Sequence, residues 1–498
     1  MTKKHNITKY VVNKVTHDSK RDDDYVVRSM GAFGVWQALI CLLAAVTRVI
    51  AGWNIITIVY LTPKTHFICT EFENGAEPLE VINTTCYDGC LKYEYENIIF
   101  ESTLISEFDL ICDRAWLASF TQSMLMFGLF LGVNFFGWVS DRFGRRMSLI
   151  CGVAIPVMFS LAAPFAPNYW TFCVIRFFVG LGCGGIFTVS VVIIVEIIGP
   201  QYREFGGGLG IVIDGIGQST VVIFAYYART WRMLMLCLGS TSILILLMTL
   251  FFLPETPRWL MANQQGDRAV ELMIKVAKFN NLPTENIKEN VEKSMKEIEE
   301  KQKYQKESHG FLDLFKTKEL TLVTIFSTII WSVAGVCFFG INQYVPLLGS
   351  NVHMTVLASG LVQIPAALVG MGSNKCFGRK GSSFFFVLLI ALAMGILAFL
   401  PDGNWAAVIA VTGLFSATTL FSILYVQINE LFPTVLRNMG FAVSSAGAKL
   451  GAMIAPFIVN VKPHWVSSVI FSLYPLFCAG FSLLLPETKG LTLKDTIF

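Results

Sequence analysis

Apolar residues in this chain run in blocks of roughly 20 positions, each closed by a short cluster of Gly, Pro, Arg or acidic residues. A helix of about 20 residues is what crosses a hydrocarbon layer, and it satisfies its own backbone where no water can. Each block therefore predicts a spanning helix. In the first part of the chain these are Val35–Leu61, Ala115–Val139, Met147–Phe165, Tyr169–Ile194, Phe205–Tyr227 and Trp231–Leu253. In the second they are Leu320–Gln343, Val352–Ser373, Ser382–Leu400, Trp405–Leu431, Asn438–Val459 and Trp465–Leu485.

The polar clusters between the blocks repeat in register. Glu196 and Arg203 recur 234 positions on as Glu430 and Arg437, and Gly144-Arg145 recurs at the same offset as Gly378-Arg379. Pro254-Glu255-Thr256 recurs 232 positions on as Pro486-Glu487-Thr488. Such repetition predicts an all-α membrane protein with 12 transmembrane helices in two pseudo-symmetric six-helix bundles, the build of transporters that rock around a central site. The expected parts are a cytosolic N-terminus (1–30), a first bundle (31–253) with a large external loop (62–114), a cytosolic helical linker (254–318), a second bundle (319–485) and a cytosolic C-terminus (486–498).

Composition agrees with this reading. Of 498 residues 54% are hydrophobic and only 15% charged, with a mean hydropathy of +0.60, too little charge for an ordinary soluble chain. Lys and Arg orient the helices. They follow the second span (Arg142, Arg145, Arg146), the fourth (Arg203), the eighth (Lys375, Arg379, Lys380) and the tenth (Arg437), and they crowd the N-terminus from Lys3 to Arg28. These segments and both termini are expected in the cytosol, in a multi-pass plasma-membrane protein. No cleavable leader is visible, so the first span is expected to insert the chain.

The loop 62–114 then lies outside. It is acidic and holds Cys69, Cys86, Cys90 and Cys112, which predicts two disulfides in one of three connectivities. Asn83-Thr84-Thr85 is a glycosylation sequon on the same side. The Lys- and Glu-rich run from Glu285 to Glu307 predicts a solvated linker helix. No metal-ligand spacing, phosphate-binding loop or nucleophile–base arrangement is visible. The expectations are no cofactor, no metal, no nucleotide, no nucleic acid and no enzymatic chemistry; the partners are a small organic ion and the lipid bilayer, with oligomeric state open.

The arginine clusters read as latches. Gly137-Trp-Val-Ser-Asp141-Arg142-Phe-Gly144-Arg145-Arg146 makes a tight turn in which Asp141 is expected to face a helix N-terminus in the other half, while the arginines pair with acids and headgroups. Glu196, Arg203, Arg379, Glu430 and Arg437 belong to the same set. The plainer alternative is topology anchoring by arginine alone. In the fourth span, Arg176 precedes Gly180, Gly182, Gly184 and Gly185, small residues that let helices approach closely.

Several of these motifs, with Phe33-Gly34-Val-Trp36-Gln37, Pro63-Lys-Thr-His66-Phe-Ile-Cys69, Ser106-Glu107-Phe108-Asp109-Leu110-Ile111-Cys112, Pro254-Glu-Thr-Pro-Arg-Trp-Leu260 and Glu430-Leu-Phe-Pro433-Thr434, resemble the organic cation, organic anion and carnitine transporters of the major facilitator superfamily over nearly the whole chain. The Pro-Glu-Thr and Gly-Arg-Arg pieces are shared with sugar porters, and the Cys-bearing loop is not. The resemblance implies the major facilitator fold and secondary transport of small organic ions by alternating access. Two departures stand out. Lys375 occupies the second-half position matching Asp141, and Gln363-Ile-Pro365-Ala366 carries an amide where the family motif has an acid.

Ionisable residues at mid-membrane depth point to function by default. Here they are Arg48, Arg176, Asp214 and Lys449. The resemblance places Lys449 where cation-selective members carry an acid and anion or carnitine members a base, so the expected cargo is an organic anion or a carboxylate-bearing zwitterion. Lys449, helped by Arg48, is expected to hold the carboxylate, with Asp214 pairing a base or taking an amine. The competing view is that these charges neutralise one another. For Arg176 a structural role is at least as well supported. Phe338, Phe339, Tyr344, Tyr227 and Tyr425 are candidate aromatic contacts, with Asn54, Gln218, Asn342, Gln343 and Gln363 as polar ones; helix packing is the alternative for each. The other functional readings are an organic cation transporter, a sugar-porter-like transporter, and a membrane receptor or scaffold that does not transport.

Overall fold

The computed structural model describes residues 25–72, 85–87, 90–96, 100–199, 202–304, 311–349, 351–433 and 436–488. Asn83 lies outside them, as do the side chains of Arg203 and Lys375. All 12 expected spans are helices. Spans 1 to 6 are Val35–Leu61, Cys112–Phe143, Arg145–Phe165, Tyr169–Ile197, Gly206–Tyr227 and Trp231–Phe252. Spans 7 to 12 are Lys318–Leu348, Val352–Asn374, Arg379–Leu397, Asn404–Leu431, Arg437–Val459 and Trp465–Leu484. Span 2 runs four residues past Val139 because nothing stops the helix before Gly144, whose φ is +104°, a conformation that suits glycine.

Within the first half, spans 2 and 4 touch backbone to backbone. A Cβ at Gly180 would lie 2.0 Å from the Leu125 carbonyl oxygen, and one at Gly128 2.0 Å from that of Phe177. Small residues make this approach possible, and dispersion between the closely packed helices rewards it. Spans 1 and 8 each carry single-residue irregularities, at Thr47 and Thr57 in span 1 and at Val362 in span 8, where the backbone keeps helical dihedrals; Arg48 and Gln363 directly follow two of them.

The loop between spans 1 and 2 marks one end of the bundle, here the loop end; the arginine turns mark the opposite, latch end. In the described part of the loop, strands His66–Phe72 and Cys90–Glu96 pair antiparallel. The disulfides are Cys69–Cys90 and Cys86–Cys112, one of the three connectivities the sequence left open. Glu107 pins the loop to the bundle by accepting from Trp231 Nε1 at 2.7 Å and from Arg232. Burial works against the Glu107 charge, yet the Arg232 and Trp231 hydrogen bonds prevail and hold the carboxyl below its ordinary value.

The linker differs from a merely solvated spacer. Helices Pro257–Ala262, Gly266–Phe279 and Ile287–Tyr304 enclose an apolar cluster of Leu260, Met273, Val276, Ile287 and Val291 with Val26 and Met30. The charges from Lys288 to Glu300 occupy the outside of an amphipathic helix. Asn280 ties the cluster to span 1, donating to Gln37 Oε1 at 2.8 Å and accepting from Trp36 N at 3.2 Å.

The halves meet along two seams. Span 2 meets span 11, where Ser119 and Ser123 donate to the carbonyls of Pro456 (3.0 Å) and Met453 (2.6 Å). Span 5 meets span 8 at Gly215 and Gly360, each so close that a Cβ would collide with the other's carbonyl oxygen.

Candidate functional site

The first half contributes a neutralised pair. Arg48 donates through Nε to Asp214 Oδ1 at 2.9 Å and through Nη2 to Oδ2 at 2.5 Å, the two-pronged geometry that suits guanidinium and carboxylate. The guanidinium lies 4.6 Å from the Phe187 ring centroid, and glycine at 210 leaves room for it. Arg48 and Asp214 therefore occupy one another in this conformation.

One turn along span 5, amides bridge the halves. Gln218 and Asn342 exchange hydrogen bonds at 2.6 and 3.1 Å, and Gln363 Nε2 donates to Gln218 Oε1 at 2.7 Å. All three are buried. Buried amides need such partners, since an unsatisfied one costs about 1–3 kcal/mol.

Lys449 is different. Among the described residues no carboxylate pairs with it; its Nζ reaches only Ser445 Oγ at 3.2 Å and Ser445 O at 3.4 Å, one turn back on its own helix. Its helix face is fixed by its neighbours. Ala452 belongs to the first-half core, and the carbonyl of Met453 accepts from span 2. Positions i+3 and i+4 share a face with i, so Lys449 points toward the first half, one turn nearer the latch end than the place where spans 2 and 11 touch.

Aromatic rings line the second half beside it. Phe338 packs edge-on to Phe339 (5.0 Å) and Phe421 (5.5 Å), and Trp331 contacts Tyr425 (5.1 Å) and Phe441 (5.6 Å). Tyr425 is 46% exposed, an opening beside an otherwise packed cluster. Of these, Trp331, Phe421 and Phe441, together with Phe187 across the cleft, had no sequence signal beyond helical spacing: Phe421 and Tyr425 stand at i, i+4 and so share a face.

Three candidates sit elsewhere. Tyr344 is buried in the second-half core with its hydroxyl 3.0 Å from Ser468 Oγ. Tyr227 is 73% exposed at the loop end of span 5. Asn54 is buried inside the first half, donating to Ile50 O and accepting from Ser160. Arg176 is wholly buried nearby, with Nη1 donating to Asn54 O and Nη2 to Gln122 Oε1.

At the latch end, Arg145 forks onto Glu196 (Nη2–Oε1 2.8 Å) and Arg379 onto Glu430 (2.7 Å). Asp141 does not reach the other half. It pairs with Arg145 one turn on in its own half, at 3.0 Å, and its side chain is 78% exposed. The expected partner would have to cross the cleft. Among the described residues, contacts that cross it include Lys64–Asp402 at 3.3 Å and the ring of His353, stacked on Tyr60 at 5.6 Å, toward the loop end, and Gly208 close against Met371 nearer the latch end.

Comparison with known proteins agrees with this layout. The family model described as "Sugar (and other) transporter" matches residues 40–496. The human organic cation/carnitine transporter 2 is 30% identical over 418 residues, covering 83% of this chain and 74% of the relative. Bovine solute carrier family 22 member 1 is 32% identical over 402 residues, covering 80% and 70%. Among solved structures, the partially occluded inward-open xylose transporter XylE of E. coli aligns with a TM-score of 0.67 at 18% identity, over 92% of this chain and 100% of that one; at that identity the likeness speaks for the fold. The chain therefore belongs to the sugar-and-other-transporter family of the major facilitator superfamily, as a multi-pass membrane transporter of the solute carrier family 22, organic cation/carnitine type.

Proposed function

We propose that this protein carries small organic ions across the plasma membrane by alternating access and favours carboxylate-bearing anions and zwitterions. The observation that carries this reading is the asymmetry of charge around the cleft: Asp214 is neutralised by Arg48, whereas Lys449 faces the cleft with no acid beside it. The net bias is positive. Two unit charges 4 Å apart attract by about 4 kcal/mol at an effective dielectric constant of 20, against about 1 kcal/mol in water. A carboxylate gains from that difference, and an organic cation pays it as repulsion.

The aromatic wall supports the zwitterion in particular. A quaternary ammonium is attracted to ring faces, and Phe338, Phe421 and Tyr425 offer rings on the half that carries Lys449. A carnitine-like molecule has both ends. The names of the relatives, organic cation/carnitine transporter among them, favour keeping a purely cationic cargo as the second reading.

In this proposal the loop end is extracellular and the latch end cytosolic, following the arginines. Contacts across the halves toward the loop end then close the outer side, and Asp141, paired within its own half, makes no tie across the cytosolic side.

The test is uptake of carnitine, p-aminohippurate, tetraethylammonium and glucose by wild type, Lys449→Ala and Lys449→Asp. The expected result is carboxylate uptake by wild type, its loss by at least about tenfold in both variants, and tetraethylammonium uptake gained by Lys449→Asp. Uptake of tetraethylammonium alone by wild type would defeat the anion assignment. Normal carnitine transport by Lys449→Ala would remove Lys449 from the site.

A further inference from the structure

Arg176 is a large basic residue with zero exposure in the first half, and among the described residues it has no acidic partner. A lone buried guanidinium is costly, so its retained position needs a reason other than substrate charge. Its contacts supply one. Trp53, Asn54, Ile55 and Ile56 form the last turn of the segment Arg48–Ile56, and the chain stays helical through Thr57, whose N–H and hydroxyl both donate to Trp53 O. Two carbonyls of that turn also take side-chain donors from other spans: Arg176 Nη1 donates to Asn54 O at 3.1 Å, and Gln122 Nε2 donates to Ile55 O at 3.1 Å. Arg176 Nη2 also donates to Gln122 Oε1 at 2.9 Å, which orients that amide so that its Nε2 faces span 1.

Just past Thr57 lies the segment Ile58–Leu61, which carries Tyr60. Tyr60 is buried against the other half, stacked on His353 and edge-on to Phe100 at 6.0 Å. The end of span 1 that meets the other half at the loop end thus follows directly on the turn that Arg176 and Gln122 hold.

We propose that Arg176 is a positioning residue for transport: with Gln122 it caps the carbonyls of Asn54 and Ile55 in span 1 and so holds Tyr60, about one turn on, in place against His353. A planar guanidinium holds donors in two fixed directions at once, one to a backbone carbonyl and one to the glutamine. Substrate does not touch it, and span 1 relays its effect.

The experiment places a cysteine at the lip with Tyr60→Cys, in purified protein in lipid nanodiscs, where a bulky maleimide reaches both ends. Labelling above the wild-type background is compared with and without Arg176→Gln. Uptake kinetics for carnitine, p-aminohippurate and tetraethylammonium are measured in Arg176→Gln, Gln122→Met and Arg176→Lys. The expected result is labelling at position 60 roughly tenfold faster in Arg176→Gln and a similar fall in maximal uptake, with KM and the ranking of probes unchanged, as for a gating rather than a binding defect. Gln122→Met should give a smaller change in the same direction, and Arg176→Lys a partial rescue. A changed KM or probe ranking with unchanged labelling would make Arg176 a ligand-contacting residue and overturn the proposal, as would normal labelling and uptake together. If Arg176→Gln does not reach the membrane, Gln122→Met decides: normal labelling at position 60 refutes the cap.

Discussion

The two latches and the two middles of this transporter teach opposite lessons. At the latch end the halves match almost bond for bond. Arg145 forks onto Glu196 and donates to Ser140 O at 2.8 Å; Arg379 forks onto Glu430 and donates to Asn374 O at 3.0 Å. Glu255 accepts from Arg145 N at 2.9 Å, and Glu487 from Arg379 N at 3.0 Å. Thr256 and Thr488 donate to Glu196 and Glu430 at 2.5 and 2.6 Å. At mid-depth the halves diverge. The first holds the Arg48–Asp214 pair, and the second holds Lys449 with rings around it. The repeated residues build the frame, and the unrepeated charges lie at mid-depth, where, in the proposed function, they select the cargo.

The largest effect is expected from breaking the frame. Arg145→Ala and Arg379→Ala each strip a partly buried acid of its partner. A fully buried pair would cost 3–5 kcal/mol to break, and the partial exposure here lowers that to roughly 2–3 kcal/mol. Thermal unfolding in detergent should show both variants destabilised to a similar degree. A large loss in one and none in the other would break the equivalence of the two latches.

Next comes the contrast at mid-depth. Asp214→Asn leaves the Arg48 charge without its partner and should lower both surface expression and uptake. Adding Arg48→Gln should recover much of the loss, with a coupling of about 2 kcal/mol in a double-mutant cycle. No comparable second-site rescue is expected for Lys449→Ala, because no acid is stranded. Independent, additive effects of the two pair variants would show that Arg48 and Asp214 act separately.

A smaller effect concerns the loop anchor and pH. The Glu107 carboxyl is held below its ordinary value of 4.5. A depressed carboxyl contributes stability above the unfolded value and loses it as pH falls through the folded one. Melting of wild type should therefore show no pH dependence from this contact between pH 7.5 and pH 5.5, roughly a unit above that value, where its contribution is fully present. Glu107→Gln should melt a few degrees lower at neutral pH, and the gap should close only below the ordinary carboxylate range. A gap that closes by pH 6 would mean that the Arg232 contact does not hold Glu107 charged.

The least consequence is expected at Tyr227. It projects at the loop end, far more exposed than the cleft rings, so Tyr227→Ala should change carnitine uptake by less than about twofold. A tenfold loss would extend the substrate path to that end of span 5.

Much of this was legible along the chain. Block length gave 12 spans because hydrocarbon thickness fixes helix length, and the repeated Glu, Arg and Pro-Glu-Thr positions gave the halves because matching offsets survive in one dimension. The four loop cysteines announced two bridges, but three pairings were equally open until the strands Cys90–Glu96 and His66–Phe72 aligned. The charge run Glu285 to Glu307 hid the apolar face it shares with Val26 and Met30, since that face needs a partner 250 residues away in sequence to become a core.

By itself, then, the sequence determined the number and place of the spans, the twofold plan and which charged side chains lie within the spans, all of which follow from composition and spacing. Tertiary structure alone decided their states: that Arg48 and Asp214 cancel, that Lys449 does not, and that Arg176 serves the backbone of span 1. The physical reason is that a buried charge is defined by what lies within about 4 Å of it, and folding chooses those neighbours: Asp214 stands 166 positions from Arg48 and Asn54 122 from Arg176.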